Sequence, residues 1–261
     1  MENRNTSSLA IAIVFAAVAI SGSLVYFGMQ VSGQSGSNMD NDSITQAVEK
    51  GLENYVTKMQ DQQQQQVQAN NQNAADMAKN VPPVTAEDHI YGNADAEISL
   101  VEYSDFRCPF CARFHTTAKQ IVDESNGKVN WVYRHYPLPS HDPAATSIAN
   151  ASECIAEIAG NDKFWEFTND VFDRFSTPDS ITTDEGVLAL AKELGISESE
   201  LSTCMESEKY VDKIVEQRND GGNAGVTGTP GTIVLNNSTK ETVPVKGAQP
   251  IEKVREAIDQ L

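Results

Sequence analysis

Two cysteines separated by two residues, Cys108-Pro109-Phe110-Cys111, are the part of this sequence best suited to chemistry. The run ISLVEY at residues 98–103 alternates like a strand, and SDFRCPFCARFH after it is helix-like, so the pair falls at a strand-to-helix turn. Pro109 suits the first helical position, where its missing N–H costs nothing. Cys108 then becomes the N-cap, and Cys111 lies three residues on along the same face. That spacing permits a small disulfide ring. Unpaired N–H groups and the positive end of the helix dipole stabilise a thiolate on Cys108, with Arg107 adding positive charge beside it. Cys108 is expected to be the reactive, exposed sulfur. Cys111, followed by apolar Phe114, is expected to be shielded and suited to attack a mixed disulfide from within. A zinc half-site or a static disulfide are the other readings of the motif. A zinc site usually needs a second close pair, and the remaining cysteines, Cys154 and Cys204, are 50 residues apart.

The elements that must position this pair can be read around it. VNWVYR at 129–134 reads as a second strand and completes a β-α-β unit with a right-handed crossover. Near the other end, GVTGTPGTIVL at 225–235 places Thr229-Pro230 just before a β-branched run, followed by VPVK at 243–246 and a helix over 250–260. Between them, about residues 140–224, helix signals succeed one another, including capping boxes at Thr182 with Glu185 and at Ser197 with Glu200. Some four short helices are expected there. Cys154 falls in the first and Cys204 in the fourth; they pair as a structural disulfide or remain two buried thiols, depending on whether their Cα atoms approach within roughly 7 Å. Phe164, Trp165, Phe167, Phe172 and Phe175 are expected to form the core of this insertion.

VEYSDFRCPFC, YRHYPLP at 133–139, the helical insertion and GTPG leading into a strand, in that order, resemble the DsbA-like thiol-disulfide oxidoreductases of the thioredoxin superfamily. The resemblance covers residues 86–261 and implies an α/β, thioredoxin-like fold interrupted by a helical insertion. It implies that Thr229-Pro230 is the family's cis-proline loop. A proline there offers no N–H and resists capturing a metal, while the Thr229 backbone is left to pair with an extended substrate strand. It also places Glu102 where the family often carries a buried carboxylate beneath the disulfide, suited to relay the proton Cys111 must lose. On the strand alternation Glu102 shares a face with Leu100, and inward burial would raise its pKa; an exposed strand-end glutamate is the alternative. Asp105 reads as a turn residue, and His115, His135 and His141 as structural. Phe110 departs from the histidine of the family's strongest oxidants, which implies a milder one. Threonine before the cis-proline also occurs in isomerase and reductase branches, which leaves the direction of electron flow open.

The rest of the chain bears on location and partners. Nineteen Lys plus Arg against 37 Asp plus Glu give a net charge of −18, which opposes a nucleic-acid backbone and an anionic lipid surface alike. Residues 9–29 carry no charge and are long enough as a helix to span a bilayer; with Arg4 as the only basic side chain before them, everything after residue 30 is expected on the extracytoplasmic side. A cleaved signal peptide is the competing reading, against which stand the length of the apolar run and the lack of a clear A-x-A site. Residues 31–85, with five consecutive glutamines at 62–66, read as a polar linker holding one short amphipathic helix, whose stripe Val48, Leu52, Tyr55, Met59 could pair subunits. The expectation is a membrane-anchored oxidoreductase that forms or exchanges disulfides in exported cysteine-containing proteins, needs no cofactor, and is reset by a redox partner. An oligomeric isomerase or reductase is the alternative, and a non-catalytic metal-binding module the one from another class.

Overall fold

The computed structural model describes residues 41–177 and 181–261; the apolar run at 9–29 lies outside them. No helix among the described residues is long and apolar enough to cross a membrane. The chain divides into two compact units, residues 1–64 and 65–261.

Helix α1, Asn41–Ala78, is far longer than the short helix expected in a polar linker. Gln, Glu, Lys, Met and Ala are all good helix formers, and no proline interrupts them before Pro82, so composition that looks like linker still propagates a helix. Its side chains from Thr45 to Asn73 are exposed, including Val48, Leu52, Tyr55, Val56 and Met59. In the second unit Ala74, Ala78 and Val81 are buried; Ala78 and Val81 pack with Val101, Tyr103, Val132 and Ile233 on one face of a sheet.

That sheet has the order β1-β3-β2-β4-β5, built from β1 (His89–Tyr91), β2 (Ile98–Ser104), β3 (Val129–His135), β4 (Gly231–Asn236) and β5 (Thr242–Lys246). β2 and β3 run parallel, joined by α2 (Pro109–Glu124), and the other pairs are antiparallel. β1, three residues at the edge, is too short to show periodicity in the sequence. β5 forms the other edge and carries Pro244, a residue confined to edges because it cannot donate to a ladder.

Among the described residues the insertion holds five helices rather than four, α3 (Ala144–Ala159), α4 (Asn161–Asp173), α5 (Asp184–Glu193), α6 (Glu198–Glu206) and α7 (Val211–Asn223). The cap of α5 is Thr183, whose hydroxyl accepts the Gly186 N–H, one residue later than the capping box predicts; Ser197 caps α6 as read. Cys154 and Cys204 form a disulfide with their Cα atoms 5.9 Å apart, tying α3 to α6. Phe164, Trp165, Phe167 and Phe172 are buried, whereas Phe175 is half-buried under the Arg107 guanidinium. α7 returns to cross the sheet closely: a Cβ on Gly221 would lie 2.7 Å from the Tyr103 ring and 2.9 Å from that of Tyr136, so only glycine allows the approach. The final helix, α8 (Ile251–Ile258), packs Val254 and Ala257 into the core shared with α2 and the insertion.

Candidate active site

Cys108 is the N-cap of α2, with extended backbone (φ −89°, ψ 119°) and Pro109 at the first helical position. The turn that delivers it is held by Asp105. Its backbone carbonyl accepts the Cys108 N–H at 3.0 Å, and its buried carboxylate accepts the N–H groups of Arg107 (2.6 Å) and Leu138 (2.8 Å) and pairs with His141 Nδ1 (2.8 Å). Asp105 is thus a turn residue that also joins the cysteine turn to the loop after β3.

Across from the turn, Thr229-Pro230 is a cis peptide, and the Cys108 thiol donates to the Thr229 carbonyl at 3.3 Å. Cys108 and Cys111 are both free thiols. Contrary to the sequence expectation, Cys108 is not exposed: only 2% of its surface is open, because the cis-proline loop covers the sulfur. Beside that loop lies a groove of about 230 Å³ lined by Val226, Gly228, Thr229, Pro230, Val245 and Lys246 among others. The exposed neighbour is Phe110, 52% open, with the Arg113 guanidinium 5.2 Å from its ring centre.

The two sulfurs differ electrostatically. The Cys111 thiol, helped by the Thr229 side chain and the N–H groups of Cys111 and Phe110, lowers the pKa of Cys108 to about 6 against the effect of burial. The Arg107 side chain is engaged elsewhere. Its guanidinium is occupied by the Ile181 carbonyl at 3.2 Å and by the Phe175 ring. Burial pushes the Cys111 thiol well above the ordinary range, reinforced by Cys108 and by the charge of Glu102.

Glu102 is 1% exposed, on the inward face of β2 with Leu100. Burial raises its pKa to about 7, with Ser104 and Trp131 pulling the other way. No cation pairs with it among the described residues. The three histidines do not hydrogen-bond to either cysteine. His115 meets Asn169 Oδ1 at 2.7 Å, and burial lowers its pKa to about 4. His135 lies 3.0 Å from Glu153 Oε1.

Glu153 belongs to a second buried cluster that sequence reasoning missed. Its carboxylate bonds His135 Nε2 and Lys213 Nζ (2.8 Å) and lies 3.1 Å from His89 Nε2, so one acid from α3 joins β1, β3 and α7. These four residues are scattered over 125 positions of sequence, and no spacing rule brings them together.

The family model described as Thioredoxin matches residues 84–260. Among solved structures the chain is similar to DsbA2 of Pseudomonas aeruginosa, at 28% identity, covering 69% of this chain and 96% of that one with a TM-score of 0.59. BcfH of Salmonella enterica Typhimurium, at 15% identity, shares the fold over 93% of this chain and 98% of its own, with a TM-score of 0.70. A curated relative, the Na(+)/H(+) antiporter NhaA 1 of Mycolicibacterium vanbaalenii, is 32% identical over 149 residues, which are 57% of this chain and 23% of that protein. The chain thus spans at most about a quarter of the length of these curated relatives, and the antiporter name belongs to them. Over residues 84–260, the cysteine-capped helix, the cis-proline loop facing it and the helical insertion are those of a DsbA-like member of the thioredoxin family, to which this chain belongs.

Proposed function

We propose that this protein is a thiol-disulfide oxidoreductase that forms or exchanges disulfides in exported proteins, anchored to the membrane by residues 9–29 with its catalytic domain on the extracytoplasmic side. The observation that carries the reading is the Cys108 sulfur at the start of α2, 3.3 Å from the carbonyl of cis-bonded Thr229, with its pKa lowered to about 6 while that of Cys111 behind it is raised. In the oxidising direction a substrate thiolate attacks Cys108 of the disulfide form and Cys111 leaves; a second substrate thiol then resolves the mixed disulfide. In the reducing or isomerising direction the Cys108 thiolate attacks a substrate disulfide, and Cys111 or another substrate thiol releases it. The cis-proline loop and its groove hold the substrate segment against Cys108, and Glu102 takes or returns the Cys111 proton. No diffusible cofactor takes part, and a separate redox partner resets the pair.

Cys108→Ser tests this directly. The variant should lose all turnover of a model dithiol or disulfide peptide, whereas turnover at the wild-type rate sinks the mechanism.

A second reading, an oligomeric disulfide isomerase, draws on the exposed apolar stripe of α1, where Val48, Leu52, Tyr55 and Met59 follow heptad spacing with no cover among the described residues. Light scattering on the chain with and without residues 31–64 distinguishes the two. A single-chain mass in both samples removes the isomerase reading, and loss of an oligomer on deletion favours it.

A further inference from the structure

The groove beside the cis-proline loop has a wall from outside the family core. The family model begins at residue 84, yet Ala74 of α1 lines the groove together with Gly225, Thr229, Pro230 and Lys246. The end of α1 is fixed in place there. Just past it, Asn80 Nδ2 donates to the Asn223 carbonyl at 3.1 Å, and Ala78 packs with Ala224 and Val226. Met77 stands so near Gly225 that a Cβ on that glycine would lie 3.0 Å from its own. A second cavity, of about 560 Å³, shares Ala74, Pro244, Val245 and Lys246 with the groove and continues along β5 to Lys253 and Glu256 of α8. Together they form a trough that reaches Thr229-Pro230, beside the reactive sulfur.

Val243 and Val245 point into the core shared with Cys111, so Lys246, by alternation, lies on the opposite face with Pro244. Lys246 is exposed and is the one charged residue lining the groove; its ammonium has no ion pair or hydrogen bond among the described residues. In the second cavity Lys253 and Glu256 pair with each other. The edge of β5 is a poor template for a further strand. The bonds from the Gly247 N–H to the Pro230 carbonyl and from the Asn236 N–H to the Glu241 carbonyl turn the odd-numbered residues toward β4. Pro244 and Lys246 face outward, but Pro244 has no N–H and the Lys246 carbonyl already accepts Gln249 Nε2 at 2.8 Å. Recognition therefore falls to side chains, and the charge they offer is positive in a chain whose net charge is −18.

We propose that this trough takes the extended segment flanking the reacting cysteine of a substrate protein, and that Lys246 selects segments with an aspartate or glutamate close to that cysteine. Lys246 stands opposite Gly231, two residues beyond Thr229. An extended chain advances about 3.3 Å per residue, so an acidic side chain about two to four residues from the cysteine bound at Cys108 reaches the ammonium. Continuity with Thr229-Pro230 makes the occupant the substrate, and the lysine sets its charge. The inference rests on the thiol-exchange reading above and gives it a substrate class.

The test uses the full, reduced chain and two peptides that differ only in charge. Each carries one cysteine as a mixed disulfide with 2-nitro-5-thiobenzoate, flanked two and three residues away on both sides by glutamates in one peptide and glutamines in the other. The Cys108 thiolate attacks the peptide sulfur, the old S–S bond breaks, and the coloured thiolate leaves with the electron pair. At low salt and low peptide concentration the glutamate peptide should react about threefold faster, against the repulsion of the chain's net charge. That ratio should fall to about one in Lys246→Ala and below one in Lys246→Glu. Because both rates come from one protein, the ratio does not respond to a change in Cys108 itself. Ala74→Trp should slow both peptides severalfold relative to the small neutral disulfide 4,4′-dithiodipyridine, and Ala74→Ser should not. Equal rates for the two peptides on wild type, a preference that survives Lys246→Ala, or peptide rates that Ala74→Trp leaves untouched overturn the proposal. Rates that fall as the protein is concentrated would place a second copy in the trough and overturn it as well. If wild type reacts with 4,4′-dithiodipyridine no faster than Cys108→Ser, the thiol-exchange reading falls instead.

Discussion

Two buried glutamates 51 positions apart meet opposite fates. Glu153 is surrounded by His89, His135 and Lys213; burial works against its charge, but the histidine bonds hold its pKa well below the carboxylate range. Glu102, equally buried, has no cation paired with it among the described residues, and burial raises its pKa to about 7. The protein therefore has the means to fix a buried carboxylate as a permanent anion and does so where helices must be joined to the sheet. Under the cysteines it leaves the carboxyl unpaired. A group that titrates near neutrality can take up and return a proton, and one that is always ionised cannot.

The largest effect that could break this contrast is expected at Glu153. Glu153→Ala takes the acid away from the buried imidazoles of His89 and His135 and from half-buried Lys213, and should cost about 3–5 kcal/mol in urea unfolding at pH 7. A loss under about 1 kcal/mol, within the range of surface pairs, would mean that the cluster does not brace the insertion.

Glu102 should behave in the opposite sense. Its folded pKa of about 7 lies above the ordinary 4.5, so its contribution to stability is fully present below pH 4.5 and is lost as pH rises through 7. Relative to Glu102→Gln, the wild type should lose about 3 kcal/mol between pH 4.5 and 9. Parallel stability curves for the two proteins would show that this carboxyl is not raised.

A finer measurement concerns Cys108. Its alkylation rate by iodoacetamide should be half-maximal near pH 6 and fall away below it. Because the charge of Cys108 is the smallest of the named influences on Glu102, Glu102→Gln should move that midpoint by less than about one unit. A midpoint above 8 in the wild type would remove the distinction between the two sulfurs.

Much of this arrangement was legible because it is local. Pro109 after Cys108 marks the helix start, the alternation of Leu100 with Glu102 points the acid inward, and the family resemblance brings Thr229-Pro230 to the cysteines. What escaped notice depends on tertiary register or on composition that misleads. Lys246 alternates in the same way against Val243 and Val245 and was readable in principle, but Ala74 and Pro230 join it only when β5 takes its place beside β4 and the end of α1 comes alongside. The covering of Cys108 required the loop's position, not its sequence. The glutamine tract hid a helix whose far end is fixed by small residues, Ala74 and Ala78, rather than by a hydrophobic stripe.

The Cys154–Cys204 bridge gives the protein a stake in the chemistry proposed for it. It closes 50 residues of the insertion, a constraint on the unfolded chain worth about 4 kcal/mol in the loop-entropy account. A catalyst of this kind is also a client. Synthesised where thiols stay reduced, it would begin life with a looser insertion, and its full working form would arise only in a compartment that already sustains the bonds it handles.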